Sequence, residues 1–270
     1  MPHAEYPTSV IFVFGPTAVG KTAFVETLAS ASFEVVSADS LQVYRGLDIG
    51  TAKPAPELRR RIPHHLIDVA DPHEQFQVGD FVRLANEAIR GIVSRGRLPV
   101  VSGGAAYYIK HLLYGLSKAP ASTPEVRAKV RERLRRHGLP ALFEELRQVD
   151  PDTAARLGPA DEYRITRALE VYEVSDRPLS DFPPPRKPRA DLRPLLIGLE
   201  RPRDELYERI NGRVDEMFRR GLRAEVENLV ARGCGADAPA MRGIGYREFF
   251  AVDGSLRPKA DDPAIASQIQ

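Results

Sequence analysis

The residues Gly15-Pro16-Thr17-Ala18-Val19-Gly20-Lys21-Thr22 match the pattern G-x-x-x-x-G-K-[ST] in full. The chemistry of such a string is phosphate capture. Glycines let the backbone wrap an oxyanion so that successive N–H groups converge on it. A helix opening at that point adds partial positive charge. Lys21 adds a full charge, and the Thr22 hydroxyl is placed to ligate Mg²⁺. The flanks are those the motif requires: Val10 to Phe14 reads as a buried strand, and a helical pattern follows through Ala29. The string recognises phosphates and not nucleosides, so ATP and other diphosphate esters both remain open. An ATPase would usually add a strand ending in Asp. Leu98 to Val101 ends instead in Ser102-Gly103-Gly104, and Leu66-Ile67-Asp68 is a weaker candidate. This argues against a motor or switch NTPase, although small-molecule kinases often lack that aspartate too.

Asp39 closes the second apolar run, Glu34 to Ala38. Ligands collect beyond strand ends in parallel sheets. Two readings stand: a turn or N-cap residue, or a general base facing the phosphate loop. Arg209 and Arg213 lie four apart on one helix and so share a face, as a solvated stripe or as an anion clamp. His64 and His65 are adjacent, point different ways and do not make a metal pair; they read as structural. Cys234 is the single cysteine, without a placed histidine partner, and reads as inert.

The elements that must hold these groups follow from periodicity. Apolar runs at 10–14, 34–38, 66–69 and 98–101 alternate with helical segments at 81–93 and about 106–113. That alternation predicts an α/β fold with a parallel, doubly wound sheet. From Gly115 to about Ser180 only helices are expected. Thr123-Pro124-Glu125 is a helix start, with Val126, Val130 and Leu134 on one face. A second helix starts near Asp161 and carries Ile165, Leu169 and Tyr172. Asp-Phe-Pro-Pro-Pro-Arg-Lys-Pro-Arg at 181–189 is a boundary loop. A strand is expected at 195–199, then a helix lined by Leu206, Ile210, Val214 and Met217 that stops at Gly221. The resulting organisation is a core at 1–115, a helical insertion at 116–190, and the remainder of the core at 191–270.

Bulk properties narrow the setting. Lys and Arg number 39 against 37 Asp and Glu, so the net charge is +2 and no nucleic-acid partner is demanded by charge alone. One cysteine excludes a disulfide-stapled secreted domain and points to a reducing cytoplasm. The first nine residues lack a signal peptide's apolar core, and no stretch is long enough to span a bilayer.

Taken together, these strings resemble the tRNA dimethylallyltransferase (tRNA isopentenyltransferase, IPP transferase) family. The resemblance rests on G-P-T-A-V-G-K-T and on D-S-L-Q-V-Y-R-G-L-D-I-G-T-A-K-P at 39–54, the latter close to diagnostic. It continues through H-H-L-I-D-V at 64–69, V-S-G-G at 101–104, P-E-V-R at 124–127, R-A-L-E-V at 167–171 and G-I-G-Y at 243–246. It spans nearly the whole chain, in order. It implies a P-loop nucleotide-kinase-like sheet, and transfer of a dimethylallyl group from dimethylallyl diphosphate to the exocyclic amine of the tRNA adenine 3′ of the anticodon. A small-molecule or nucleoside kinase using ATP is the alternative. A nucleotide-dependent RNA-binding switch is a third reading, which leaves Asp39 idle.

The resemblance further implies Asp39 as general base, Thr22 as the Mg²⁺ contact and an arginine of the later helix, Arg213 in preference to Arg209, on the diphosphate. The tRNA would be met by Asp39, Ser40, Leu41 and Gln42 at the flipped adenine, by Ala105, by Arg127, and by Tyr163, Arg164, Ile165, Thr166 and Arg167. Arg127, Lys129, Arg131, Arg133, Arg135 and Arg136 give the first insertion helix a basic face. Alone it reads as solvated; with tRNA as substrate it reads as phosphate-contacting. The enzyme is expected to act as a cytoplasmic monomer on the anticodon stem-loop. Two departures stand out. The family usually has Gly-Gly-Thr where this chain has Gly103-Gly104-Ala105, which removes a hydroxyl. The family also usually continues into a basic helix where this chain stops at Gln270, so a truncated product is expected.

Overall fold

Valine-rich runs make the sheet. β1 (Thr8–Phe14), β2 (Phe33–Ser37), β3 (His64–His65), β4 (Leu98–Gly103) and β5 (Leu192–Gly198) pair in the order β3-β2-β4-β1-β5, every pairing parallel. β2 is buried along its whole length, as expected of a strand covered on both faces by crossover helices. Val13, Val35, Val36, Val100 and Val101 fill the sheet's interior. The protein is described here by a computed structural model covering residues 7–28 and 32–270. Ala29, where the first helical pattern was expected to end, lies outside the described residues.

Parallel neighbours need crossovers, and helices supply them: α1 (Lys21–Thr27) after β1, α2 (Pro56–Arg61) after β2, α3 (Val78–Ser94) after β3 and α4 (Ala106–Tyr114) after β4. A capping box starts α3, with Gln77 and Asp80 each satisfying the other's backbone amide. One expectation fails here. The third strand is not 66–69 but His64–His65. Leu66 and Asp68 have φ of 63° and 59°, a left-handed backbone that no strand accommodates. The segment is a loop with Leu66 buried and Val69 exposed, and Val69 N–H donates to Val43 O at 2.8 Å.

The chain forms two compact units, one comprising the residues up to Leu113 with Pro188–Gln270, the other Tyr114–Lys187. The second unit is all helical: α5 (Pro124–Val149), α6 (Pro151–Ala154) and α7 (Glu162–Ser175) enclose Val130, Leu142, Leu146, Ile165 and Leu169. The Thr123 hydroxyl caps α5 by accepting from Val126 N–H. The helix breaks at Gly138 (φ 76°, ψ 166°), two residues before Pro140. Asp150 accepts from Thr153 N–H and Ser180 N–H and ties the start of α6 to the segment after α7.

After β5 the first unit continues with α8 (Arg203–Arg219), α9 (Leu222–Ala231) and α10 (Asp262–Ile269). These pack with the 43–47 segment in one core around Leu47, Leu222, Met241, Tyr246, Phe249 and Ile265. Arg223 holds α10 from within that core, bonding Asp262 at 2.9 Å and the carbonyls of Arg257 and Pro258. The segment after β2 therefore rests on residues from the far end of the chain.

Candidate active site

Phosphate-loop geometry is visible in which carbonyls are held. Lys21 Nζ donates to Gly15 O (2.9 Å) and Pro16 O (2.8 Å). Arg209 Nε donates to Ala18 O (2.7 Å) and Arg201 Nε to Val19 O (2.9 Å). Ala18 is held at φ 62°, an uncommon conformation for a residue with a Cβ. With these carbonyls bound by side chains, and Val19 N–H directed at Pro16 O (3.4 Å), the first-turn N–H groups of α1 are left for a ligand. Gly20 caps α1 without any side-chain acceptor.

A cavity of about 660 Å³ opens beside this loop. Of the residues expected to act, Thr17, Ala18, Gly20, Lys21, Thr22, Asp39, Gln42 and Arg213 line it. Gly15, Pro16, Val19, Ser40, Leu41 and Ala105 do not. Leu41 packs instead against Gly243. Ala105 serves through its backbone, donating to Ala38 O at 3.1 Å. That contact clamps the ends of β2 and β4 so closely that a Cβ on Gly103 would overlap the Ala38 carbonyl. Gly103 is thus required by packing before any ligand is considered.

Asp39 is both turn residue and cavity carboxylate. Its Oδ1 accepts from Leu41 N–H (2.9 Å) and Gln42 N–H (3.2 Å), which fixes the plane of the carboxylate. Among the described residues Oδ2 accepts no hydrogen bond. Gln42 is locked at both ends: Oε1 accepts from Ser37 Oγ (3.0 Å) and Nε2 donates to Thr51 O (3.1 Å). Arg213 Nη2 reaches the same Thr51 carbonyl at 3.5 Å. Burial pushes both Lys21 and Arg213 below their ordinary pKa ranges, with Asp39 opposing the shift in each and Arg213 adding to it at Lys21. Two poorly solvated cations facing one carboxylate form a site that an added anion would relieve.

The cavity lining also includes the apolar residues Val25, Val35, Ala52, Pro54, Leu58 and Ile62. Sequence reading did not assign them, because they come from four separate segments. His64 also lines the cavity, yet Nδ1 is engaged with Ile62 O at 2.6 Å and burial holds the imidazole below its ordinary range. His65 bonds Glu34 at 2.6 Å. Both roles are structural. Much of the 39–54 string is structural too. Lys53 is buried and bonds Tyr44 O, Asp48 and Asp68 at 2.6, 2.8 and 2.6 Å. Asp68 belongs to the H-H-L-I-D-V string, and this ion pair joins the two strings. Burial works against ionising Asp68, but Lys53 and Arg59 outweigh it and hold its carboxyl below the usual range.

The matches follow this geometry. Residues 42–265 match the family model described as IPP transferase, and residues 8–65 that of isopentenyl transferase. The chain belongs to the IPP transferase family. It is 48% identical to the tRNA dimethylallyltransferase of Syntrophobacter fumaroxidans, over 88% of this chain and 70% of that one. It is 46% identical to that of Geobacter sulfurreducens, over 90% and 79%. The full-length tRNA isopentenylpyrophosphate transferase of Bacillus halodurans superposes with a TM-score of 0.65 at 36% identity, covering 97% of this chain and 82% of that one. A eukaryotic dimethylallyltransferase, solved acting on tRNA, gives a TM-score of 0.79 at 26% identity, covering 97% and 66%. Membership of the IPP transferase family sets aside the kinase left open by the phosphate loop.

In the helical unit of this IPP transferase the candidate tRNA residues differ in availability. Tyr163 is 77% exposed, whereas Ile165 is fully buried in the unit's core and its side chain is out of reach of a ligand. The Thr166 hydroxyl bonds Glu162 O, Arg164 pairs with Asp161, and Arg167 bonds Pro120 O. On the basic face, Lys129 and Arg133 pair with Glu173 and Arg133 also with Glu145, while Arg135 and Arg136 share Glu132. Arg127 and Arg131 have no ion pair among the described residues. The continuous basic face expected from sequence is therefore largely neutralised by carboxylates on neighbouring turns and helices.

Proposed function

We propose that the chain transfers the dimethylallyl group of dimethylallyl diphosphate to the N6 amine of the tRNA adenine 3′ of the anticodon. The observation that supports this best is the cavity itself. Its lining combines a phosphate loop and two cations with a set of apolar residues, and a fixed carboxylate interacts with both cations. A diphosphate ester with a short branched hydrocarbon tail matches that combination.

The diphosphate is held by the loop amides, Lys21 and Arg213, which stabilise the charge that grows as the allylic C–O bond breaks. The amine nitrogen forms the new C–N bond, its proton passes to Oδ2 of Asp39, and diphosphate leaves. The adenine must leave its stack to reach this carboxylate. Gln42, orientable by neither end without breaking a bond, fixes the wall beside the incoming base. A Mg²⁺ ion fits the donor set. Thr22 lines the cavity and carries a hydroxyl, and among the described residues no cluster of three His, Cys, Asp or Glu could hold a metal on its own. Mg²⁺ with few protein ligands draws its remaining oxygens from the diphosphate and water. When bound, it would neutralise charge on the leaving group. In the helical unit, Arg127, Arg131 and Tyr163 are available for tRNA.

The test offers labelled dimethylallyl diphosphate or γ-labelled ATP with an anticodon stem-loop and Mg²⁺. The expected result is label on the adenine from the prenyl donor only. Phosphate transfer from ATP with no prenylated adenine would overturn the reading.

A further inference from the structure

Glu225, on α9, accepts four hydrogen bonds, three from one short stretch of backbone and the fourth from Tyr246. Its Oε2 accepts from Asp48 N–H (2.8 Å) and Ile49 N–H (2.7 Å); its Oε1 accepts from Gly50 N–H (3.1 Å) and Tyr246 O–H (2.7 Å). Three successive backbone amides converging on one carboxylate form an anion nest, filled here by the protein's own side chain. The next residue is Thr51. Its hydroxyl donates to Leu47 O at 2.6 Å, which leaves its carbonyl directed at Gln42 Nε2 and Arg213 Nη2 in the cavity.

The nest is closed from behind by Tyr246 of the G-I-G-Y string. Its ring lies so near Gly50 that a Cβ there would stand 2.6 Å from it. Burial, then the Glu225 charge, drive the Tyr246 hydroxyl far above its ordinary pKa, so it remains a donor to Glu225. This explains why a glycine in the 39–54 string and a tyrosine far along the chain belong to one signature.

We propose that Glu225 is a positioning residue for the transfer reaction. By holding the amides of 48–50 it sets the Thr51 carbonyl, and through that carbonyl it sets the Arg213 guanidinium and the Gln42 amide. The inference rests on the prenyl-transfer reading for its consequence in kcat, but its geometry can be tested without tRNA. Glu225→Gln keeps the side chain's shape, loses the charge, and places an NH₂ against an amide donor.

The experiment is a double-mutant cycle read by calorimetric binding of inorganic pyrophosphate with Mg²⁺, and in parallel by kcat on an anticodon stem-loop. Glu225→Gln is expected to weaken pyrophosphate about fivefold and lower kcat about tenfold. In an Arg213→Ala background it should weaken pyrophosphate less than twofold further, because the group it positions is gone. Equal fivefold losses in both backgrounds would overturn the proposal. If Glu225→Gln does not fold, Glu225→Asp, which keeps the charge one methylene shorter, should show the same coupling at about threefold, and additivity there overturns it equally. A wild type that binds pyrophosphate with this coupling but transfers no prenyl group would sink the functional reading and leave the positioning role intact. A wild type that binds no pyrophosphate removes both.

Discussion

The turn role of Asp39 and the base role proposed for it fall on different oxygens, and they are separable. Oδ1 organises the turn through Leu41 and Gln42; Oδ2 is the oxygen left for a proton. Asp39→Asn retains the turn, since an amide oxygen still accepts both N–H groups. It is expected to lower kcat about a hundredfold, the scale of general-base loss, while pyrophosphate binding is retained or tightened because a negative charge facing Lys21 and Arg213 is removed. A kcat within threefold of wild type would confine Asp39 to the turn. At Lys21 the expectation differs. Its Nζ bridges two loop carbonyls and lines the cavity, so Lys21→Ala should weaken pyrophosphate and dimethylallyl diphosphate by the same factor. Competition binding checks this, and pyrophosphate failing to displace the prenyl donor would separate the two sites.

At the scale of elements, α5 contrasts cations that are spent with cations that are free. Arg133 is bonded to Glu145 and lies 2.9 Å from Glu173, so Arg133→Ala should cost about 1–3 kcal/mol of stability. Arg127→Ala should fall within about 0.5 kcal/mol of wild type, yet flatten the salt dependence of tRNA binding, as losing one phosphate contact reduces counterion release. Thermal melts with binding at several salt concentrations check both. Unchanged salt slopes for Arg127→Ala and Arg131→Ala would return both residues to a merely solvated face. The same contrast shows where sequence reading stops. The phosphate loop, its flanking strand and helix, and Asp39 are local features and legible in order. The helix start at Thr123 is legible because a cap is a local hydrogen bond. Glu132, which pairs with Arg135 and Arg136, is legible at helical spacing, but the other carboxylates that neutralise α5 come from α7 and from beyond Gly138, and the partners of Thr51 come from α8 and from 42, so these are not legible from periodicity. Leu66 to Val69 misled because a short apolar run in a loop, where Leu66 is buried and Val69 exposed, has the same composition as a strand.

For the molecule as a whole, acid is the informative perturbation. Arg95 foremost, with His65, holds the buried Glu34 carboxyl at about 2 against an ordinary 4.5, although burial opposes this. A carboxyl depressed on folding stabilises fully above its unfolded value and loses that contribution as pH falls through its folded one. Denaturant titrations of wild type and Glu34→Gln should therefore differ by a constant amount above about pH 5. The gap should narrow below 4.5 and be largely lost near 2. Asp68, Asp150 and Glu173 are depressed in the same direction, so the wild type should lose stability over the same window. A gap that stays constant down to pH 2 would show that the Arg95 contact does not govern Glu34.

The sheet's order also sets a timetable. β1 pairs on one side with β4 but on the other with β5, Thr8 opposite Leu192. A ribosome making this chain releases β1 to β4 early and then the whole helical unit before the strand that completes the sheet. At about 5–20 residues per second, that leaves β1 with an open edge for roughly 5 to 20 seconds. An unpaired strand of V-I-F-V-F is a template for pairing with other chains. Nascent chains stalled before Leu192 has emerged should therefore be captured by chaperones or aggregate through β1 more than those stalled once Gly198 has emerged and can pair with it. Synthesis speed through the helical unit becomes a determinant of yield, although that unit contributes no strand to the sheet.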